Sequence, residues 1–166
     1  MSRGFSLIET VLVISLFSIV LLISAPILFT NLGGEKAATL AQNINSALKE
    51  AQNKAMSSEA LGQASPTEFG VHFTSSNYTI FQGSSYNSSD PNNFVNQIDN
   101  GTSLTTNLPC ISSPTNCNNL VFSKLVGEVV SFDQTKNTLC AKDNAGNGVL
   151  LTINSAGVVN VQKTSC

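Results

Sequence analysis

Charge is what this 166-residue sequence has least of. Only 11% of its residues are charged, under half the share of about 25% usual for soluble domains. Because 42% are hydrophobic, the pairing excludes a disordered polyelectrolyte, which needs high charge and few apolar side chains. It also weakens the case for a free cytosolic enzyme, whose solubility rests on surface charge. Arg3 is the single arginine, and the seven lysines are spread from Lys36 to Lys163. No basic stripe exists, so no nucleic-acid partner is expected. There is no C-x-x-C element and only one histidine, His72, which leaves a zinc site without a ligand set. The ten acids are scattered and offer no pair for acid–base catalysis. Neither a catalytic residue nor a cofactor is expected. The length suits one domain with an appendage.

The hydrophobicity is concentrated instead. No charge falls between Glu9 and Glu35, and residues 11–29 read VLVISLFSIVLLISAPILF. As a helix that run spans roughly 28 Å, close to the ~30 Å hydrocarbon core of a bilayer. Ser15, Ser18, Ser24 and Pro26 interrupt it, and a serine hydroxyl in lipid can bond back to a carbonyl one turn earlier. A cleaved secretory signal fits poorly, since the run is too long and Ser24-Ala25-Pro26 sets proline beside the cut. A signal anchor fits better, with Arg3 inside the cell and the remainder exported. Neither explains Glu9, because a carboxylate in an apolar helix costs about 2.5–3.5 kcal/mol when central.

The string Arg3-Gly4-Phe5-Ser6-Leu7-Ile8-Glu9-Thr10 resembles the start of the type IV pilin family, which includes the pseudopilins of type II secretion. That family joins a short basic leader ending in Gly to Phe, then an apolar run with Glu at the fifth mature position. Gly4, Phe5, Leu7, Ile8 and Glu9 match, and Pro26 stands mid-helix where many members carry proline. The leader of four residues is short for the family, which leaves an upstream start codon open.

The resemblance implies a mechanism. Prepilin peptidase would cut between Gly4 and Phe5, and the Phe5 amine would be methylated. Glu9 of an incoming subunit would then pair with the Phe5 amine of a neighbour as helices stack. Two charges withdrawn from water each carry a penalty of several kcal/mol, offset by good pairing. The rival is that Glu9 snorkels to the headgroups. The implied partners are other pilin or pseudopilin subunits, prepilin peptidase, an inner-membrane assembly platform and membrane lipid. The implied place is the inner membrane, crossed once, with the N-terminus cytoplasmic and the head periplasmic or extracellular.

Gly33-Gly34 follows the apolar run, and with Pro26 it is a candidate kink or hinge, since each helical glycine costs about 1 kcal/mol. Beyond it Ala37, Leu40, Ala41, Ile44, Ala47, Leu48, Ala51 and Ala55 recur at three- and four-residue steps, the stripe of an amphipathic helix with one buried face. The division is therefore a leader over residues 1–4, a membrane and assembly helix over 5–30, its amphipathic continuation over 31–62 and a β-rich head over 63–166.

In the head the hydrophobic period drops to two. Phe69-Gly70-Val71-His72-Phe73 and Tyr78-Thr79-Ile80-Phe81 flank Thr74-Ser75-Ser76-Asn77 as a β-hairpin. Residues 83–103 read as a long loop, with strands expected at 120–122, 126–132, 148–153 and 158–162. One helix followed by five or more short strands gives an α+β fold. With the resemblance, this is a pilin-like fold, a long helix packed on an antiparallel sheet. A hairpin straight after the helix and a Gly-containing terminal hairpin most resemble the H-type minor pseudopilins and related minor pilins.

Cys110, Cys117, Cys140 and Cys166 all fall in the exported part, and an even count there points to two disulfides. Three connectivities are possible, and adjacent pairing is adopted. One bridge would pin a loop already restricted by Pro109 and Pro114, and the other would tether Cys166. Asp143-Asn144-Ala145-Gly146-Asn147-Gly148 has the look of a calcium loop but lacks the ligands, so it is taken as a tight turn. Three Asn-x-Ser/Thr triplets, at Asn77, Asn87 and Asn100, are expected by chance in so Asn-rich a chain. Two functional classes follow: a filament subunit for pilus or secretion, and an anchored extracytoplasmic binding module that never polymerises. A DNA receptor fits neither, because cleavage would leave seven lysines against ten acids.

Overall fold

A computed structural model describes residues 7–57, 66–111, 117–164 and 166; inside its helix, the side chains of Glu9 and residues 18–33 lie outside the description. The helix, α1, runs from Leu7 to Met56. At 1.5 Å per residue it is about 75 Å long, and its backbone continues through Pro26, Gly33 and Gly34 without a break.

Among the described residues eight strands follow: β1 Phe69–Phe73, β2 Asn77–Gln82, β3 Phe94–Gln97, β4 Thr102–Asn107, β5 Asn119–Phe122, β6 Thr138–Asp143, β7 Gly148–Ile153 and β8 Val159–Lys163. They form two antiparallel four-stranded sheets, ordered β3-β2-β1-β5 and β4-β6-β7-β8. The fold is thus α+β, and the second half of α1 packs on both sheets, chiefly on β1, β6 and β7.

All eight positions of the helical stripe, from Ala37 to Ala55, are buried. Five of them are alanines, which let the helix axis approach the sheets closely. The period-two alternation of the strands supplies the other wall: Phe69, Val71 and Phe73 of β1, Tyr78 and Ile80 of β2, Leu139 and Ala141 of β6, and Leu151 and Ile153 of β7 join one core with the stripe. The opposite face of the first sheet carries a small second core of Phe81, Val121 and Ile111, covered partly by Tyr86 and Val130.

The expected hairpin is present, with Phe73 opposite Tyr78. The Thr74 hydroxyl closes its turn by accepting the Asn77 amide at 2.9 Å. Three expectations need correction. Residues 83–103 are not all loop, since they contain β3 and the start of β4. Their side chains are mostly polar or exposed, so the hydrophobic pattern did not mark them. Strand β6 went unread for a different reason: its Lys142-Asp143 end merges with the turn that follows. Residues 126–132 form no strand and contribute only an isolated bridge from Val129 to Phe122. Leu125, Gly127 and Ser131 have φ of 69°, 76° and 57°, left-handed values that no extended run can accommodate.

The chain reversals are held by side chains. The Gln52 amide donates to the carbonyls of both Gly127 and Ala156 at 2.8 Å, fixing two loops to the end of the helix. Gly127 has φ 76°, which favours glycine, and a Cβ there would also displace the Met56 side chain, whose Cγ lies 2.6 Å from that position. Between β6 and β7 the expected tight turn is found. Asp143 Oδ1 accepts the amides of Ala145 and Asn147 at 2.9 and 2.8 Å, and Oδ2 accepts the Asn147 side-chain amide at 2.8 Å.

These bonds, the Asn147 side chain first, hold the Asp143 carboxyl below the ordinary aspartate range. A depressed native pKa stabilises fully above the unfolded value near 4 and is lost as pH falls through the native one. The stability gap between wild type and Asp143→Asn is therefore expected to be constant from about pH 6 to 8 and to narrow below about pH 4. Urea titrations at several pH values check this. Asp133, held low by the Thr135 amide and hydroxyl, keeps its share of the acid response in both proteins.

Candidate assembly surface

Among the described residues, the side chains of the first three turns of α1 are largely uncovered. Leu7, Ile8, Val11, Leu12, Val13, Ile14, Leu16 and Phe17 are between 43% and 82% exposed. At about 100° per residue these eight side chains point to every side of the helix. A helix apolar all round belongs inside something, either a protein core or a membrane. Contiguous exposed apolar surface of this kind marks an interaction site. The Ser15 hydroxyl donates to the Leu12 carbonyl at 2.8 Å, which satisfies one of the two polar interruptions described within the rod, the other being Thr10. Among the described residues no helix is long and apolar enough to cross a membrane.

The predicted site residues fall unevenly. Gly4 and Phe5 lie outside the described residues, as do the side chains of Glu9, Pro26 and Gly33. Gly34 is described, with open space where its Cβ would stand. It borders the shallow groove where the helix leaves the head, facing Gly146, Asn147, Gly148 and Thr164.

The four cysteines are brought together as two disulfides, Cys110–Cys117 and Cys140–Cys166. His72 is built into the sheet: its Nδ1 donates to Asn119 Oδ1 at 2.6 Å, and its ring stacks on Tyr86 with centroids 4.0 Å apart. The sequence places His72 in a strand but carries no signal for the Tyr86 stack, which comes from a loop. Among the described residues no group of three or more His, Cys, Asp or Glu is arranged to hold a metal.

Two further apolar surfaces were not anticipated. Leu125 and Val126, at 61% and 62% exposure, stand beside Met56 at the far end of the helix. Phe94 of β3, 60% exposed, borders a groove of about 170 Å³ between that strand and the helix. Burial first, and the Asp99 carboxylate second, push the Tyr78 hydroxyl in this groove above its ordinary range.

A long helix with an uncovered apolar start, whose second half packs on antiparallel sheets closed by a terminal hairpin, is a pilin-like fold. Among solved structures the chain is similar to the minor pseudopilin EpsH from the type 2 secretion system of Vibrio cholerae, with a TM-score of 0.52 and 18% identity over 77% of this chain and 97% of that one. This likeness is one of fold. No family model and no curated protein matches the sequence.

Proposed function

We propose that this chain is a non-enzymatic filament subunit, a minor pilin or pseudopilin of the H type, working in a type II secretion pseudopilus or a type IV pilus. The observation that carries the reading is the rod at residues 7–17, which exposes eight large apolar side chains around its circumference and is continuous with the helix of a pilin-like head. In this reading the rod sits in the inner membrane before assembly and among neighbouring helices afterwards, with the N-terminus cytoplasmic and the head outside. Prepilin peptidase cuts between Gly4 and Phe5, the Phe5 amine is methylated, and Glu9 meets the amine of an adjacent subunit on the assembly platform. Pro26, Gly33 and Gly34 are where the helix bends to fit its neighbours.

The pairing is the energetic centre of the proposal, since a carboxylate deep in apolar surroundings is costly alone and tolerable with a cation beside it. Intact mass of the membrane-extracted protein tests the processing step. A mature form beginning at Phe5 is expected where the peptidase is present, and recovery of only the full-length chain from such cells would overturn the assignment. For Glu9→Ala, insertion should be normal and incorporation into filaments lost. Unchanged incorporation would leave the anchored, non-polymerising module as the better reading.

A further inference from the structure

Two Asn-Gly dipeptides stand in adjoining turns, Asn100-Gly101 between β3 and β4 and Asn147-Gly148 between β6 and β7. The Asn144 amide donates to the Gly101 carbonyl at 3.1 Å and ties one turn to the other. Asparagine is a thermolabile residue, because the backbone nitrogen that follows it can attack its side-chain carbonyl carbon. Glycine hinders that attack least, since it has no Cβ beside the nitrogen and leaves the backbone free to rotate. The two dipeptides have the same chemistry, but the fold holds them very differently.

Asn147 is clamped on both sides. Its Nδ2 donates to Asp143 Oδ2 and its backbone amide to Asp143 Oδ1, each at 2.8 Å. Its successor Gly148 is buried, pairs with Lys142 in the ladder and accepts the Thr164 amide at 3.1 Å. Bringing the Gly148 nitrogen onto the Asn147 side chain would break charge-assisted bonds, which are the stronger kind, and lift the first residue of β7. Asn100 is exposed instead. Among the described residues neither its side chain nor the Gly101 amide enters a hydrogen bond. The Thr102 amide closes this turn on the Asp99 carbonyl at 3.1 Å. Asn100 has a negative φ and Gly101 a φ of 91°, the pattern of a type II turn, so the reacting atoms carry no part of the closure.

From this contrast we infer that Asn100 is a self-modification site, deamidating in the folded protein while Asn147 is preserved. The Gly101 nitrogen gives its proton to solvent and bonds to Asn100 Cγ. The Cγ–Nδ2 bond breaks, and the side-chain nitrogen takes up a proton and leaves as ammonia, closing a succinimide ring. Water then opens the ring at either carbonyl. Cleavage at Cγ leaves an aspartyl residue in place of Asn100, and cleavage at the main-chain carbonyl leaves an isoaspartyl link with its carboxylate on the Asn100 Cα. Nothing is oxidised or reduced, and water is the only co-reactant. Either product puts a carboxylate where a neutral amide stood. A Cβ on Gly101 would lie 3.7 Å from Lys36 Nζ, so the charge arises beside the exposed lysine that opens the amphipathic half of α1. An ageing chain thus becomes more acidic where helix and head meet. The step requires only the folded head and holds whether or not the chain polymerises.

Timed incubation of the full chain in detergent at mildly alkaline pH tests it, followed by digestion at acidic pH and peptide mapping. Both sites are read in one sample, from the mass change of NH2 to OH and from methyl transfer by an isoaspartyl methyltransferase. Asn100 is expected to convert at least about tenfold faster than Asn147, the factor set by one charge-assisted bond that must break first. In guanidinium chloride the two should convert at like rates, because neither turn survives there. The acidic form that grows on anion exchange should be missing from Asn100→Gln. Equal rates at both sites in the folded chain would overturn the inference. So would an Asn100 that converts in denaturant but not when folded, or an undiminished acidic form in Asn100→Gln.

Discussion

Truncating Phe122 to alanine is expected to lower the unfolding free energy of the head by about 3–5 kcal/mol, the range for deleting a buried aromatic ring. Phe122 is 1% exposed at the end of β5. It pairs with Phe69 on β1 and bridges to Val129, so its backbone already ties a strand to an irregular segment. Its ring edge lies 2.8 Å from where a Cβ would sit on Gly157, in the turn before β8. The ring thus fills the space between the first sheet, the helix and the terminal hairpin of the second. Three separately closed pieces of chain meet on it, which limits how far the site can collapse, and incomplete collapse is what places a substitution high in that range. Urea denaturation of the full chain in detergent, followed by far-ultraviolet circular dichroism of the β signal, measures the loss. A change below about 1 kcal/mol would mean that the cavity is refilled.

The second large effect is expected at the Cys140–Cys166 bridge. Replacing both cysteines with serine should cost about 3–4 kcal/mol, from the closure entropy of a loop with a sequence separation of 26. Cys140 sits on β6, and Cys166 lies beyond β8 with its sulfur 3.1 Å from the Cβ position of Gly148 at the start of β7. Because β8 is an edge strand with four of its five residues exposed, little burial holds it, and the bridge supplies what packing does not. Amide exchange should therefore accelerate selectively in β8 of the double serine variant. The Cys110–Cys117 bridge spans a separation of only seven and should cost less when removed.

The helix was the most legible element, and the reason is periodicity. From Ala37 to Ala55 every residue of the apolar stripe is buried, because a helix against a sheet hides one face and leaves the rest to solvent. The first hairpin was legible for the same reason at period two, with Phe69, Val71 and Phe73 facing the core. The number of bridges followed from an even count, and the adjacent pairing adopted for them is the one found. What failed was whatever depends on long-range contact. β3 is a short edge strand with three of four residues exposed, so no burial pattern was written into it. Residues 126–132 carry the valines of a strand but are turned by left-handed residues at 125, 127 and 131, and Leu125 gives no sign of that conformation by its identity. The groove between β3 and the helix was likewise invisible, since segments distant in sequence line it.

The position of Cys166 has a practical side. Thr164 and Lys163 line the groove together with Gly34, Glu35 and Ala38, at the end of the head where the helix departs toward residues 7–17. A fluorophore or epitope fused after Cys166 would emerge there, at the opposite end of the head from Leu125. Labels meant to stay clear of the departing helix belong instead in the exposed turn at Ser84-Ser85, which follows Gly83 where its amide bonds back to the Glu68 carbonyl.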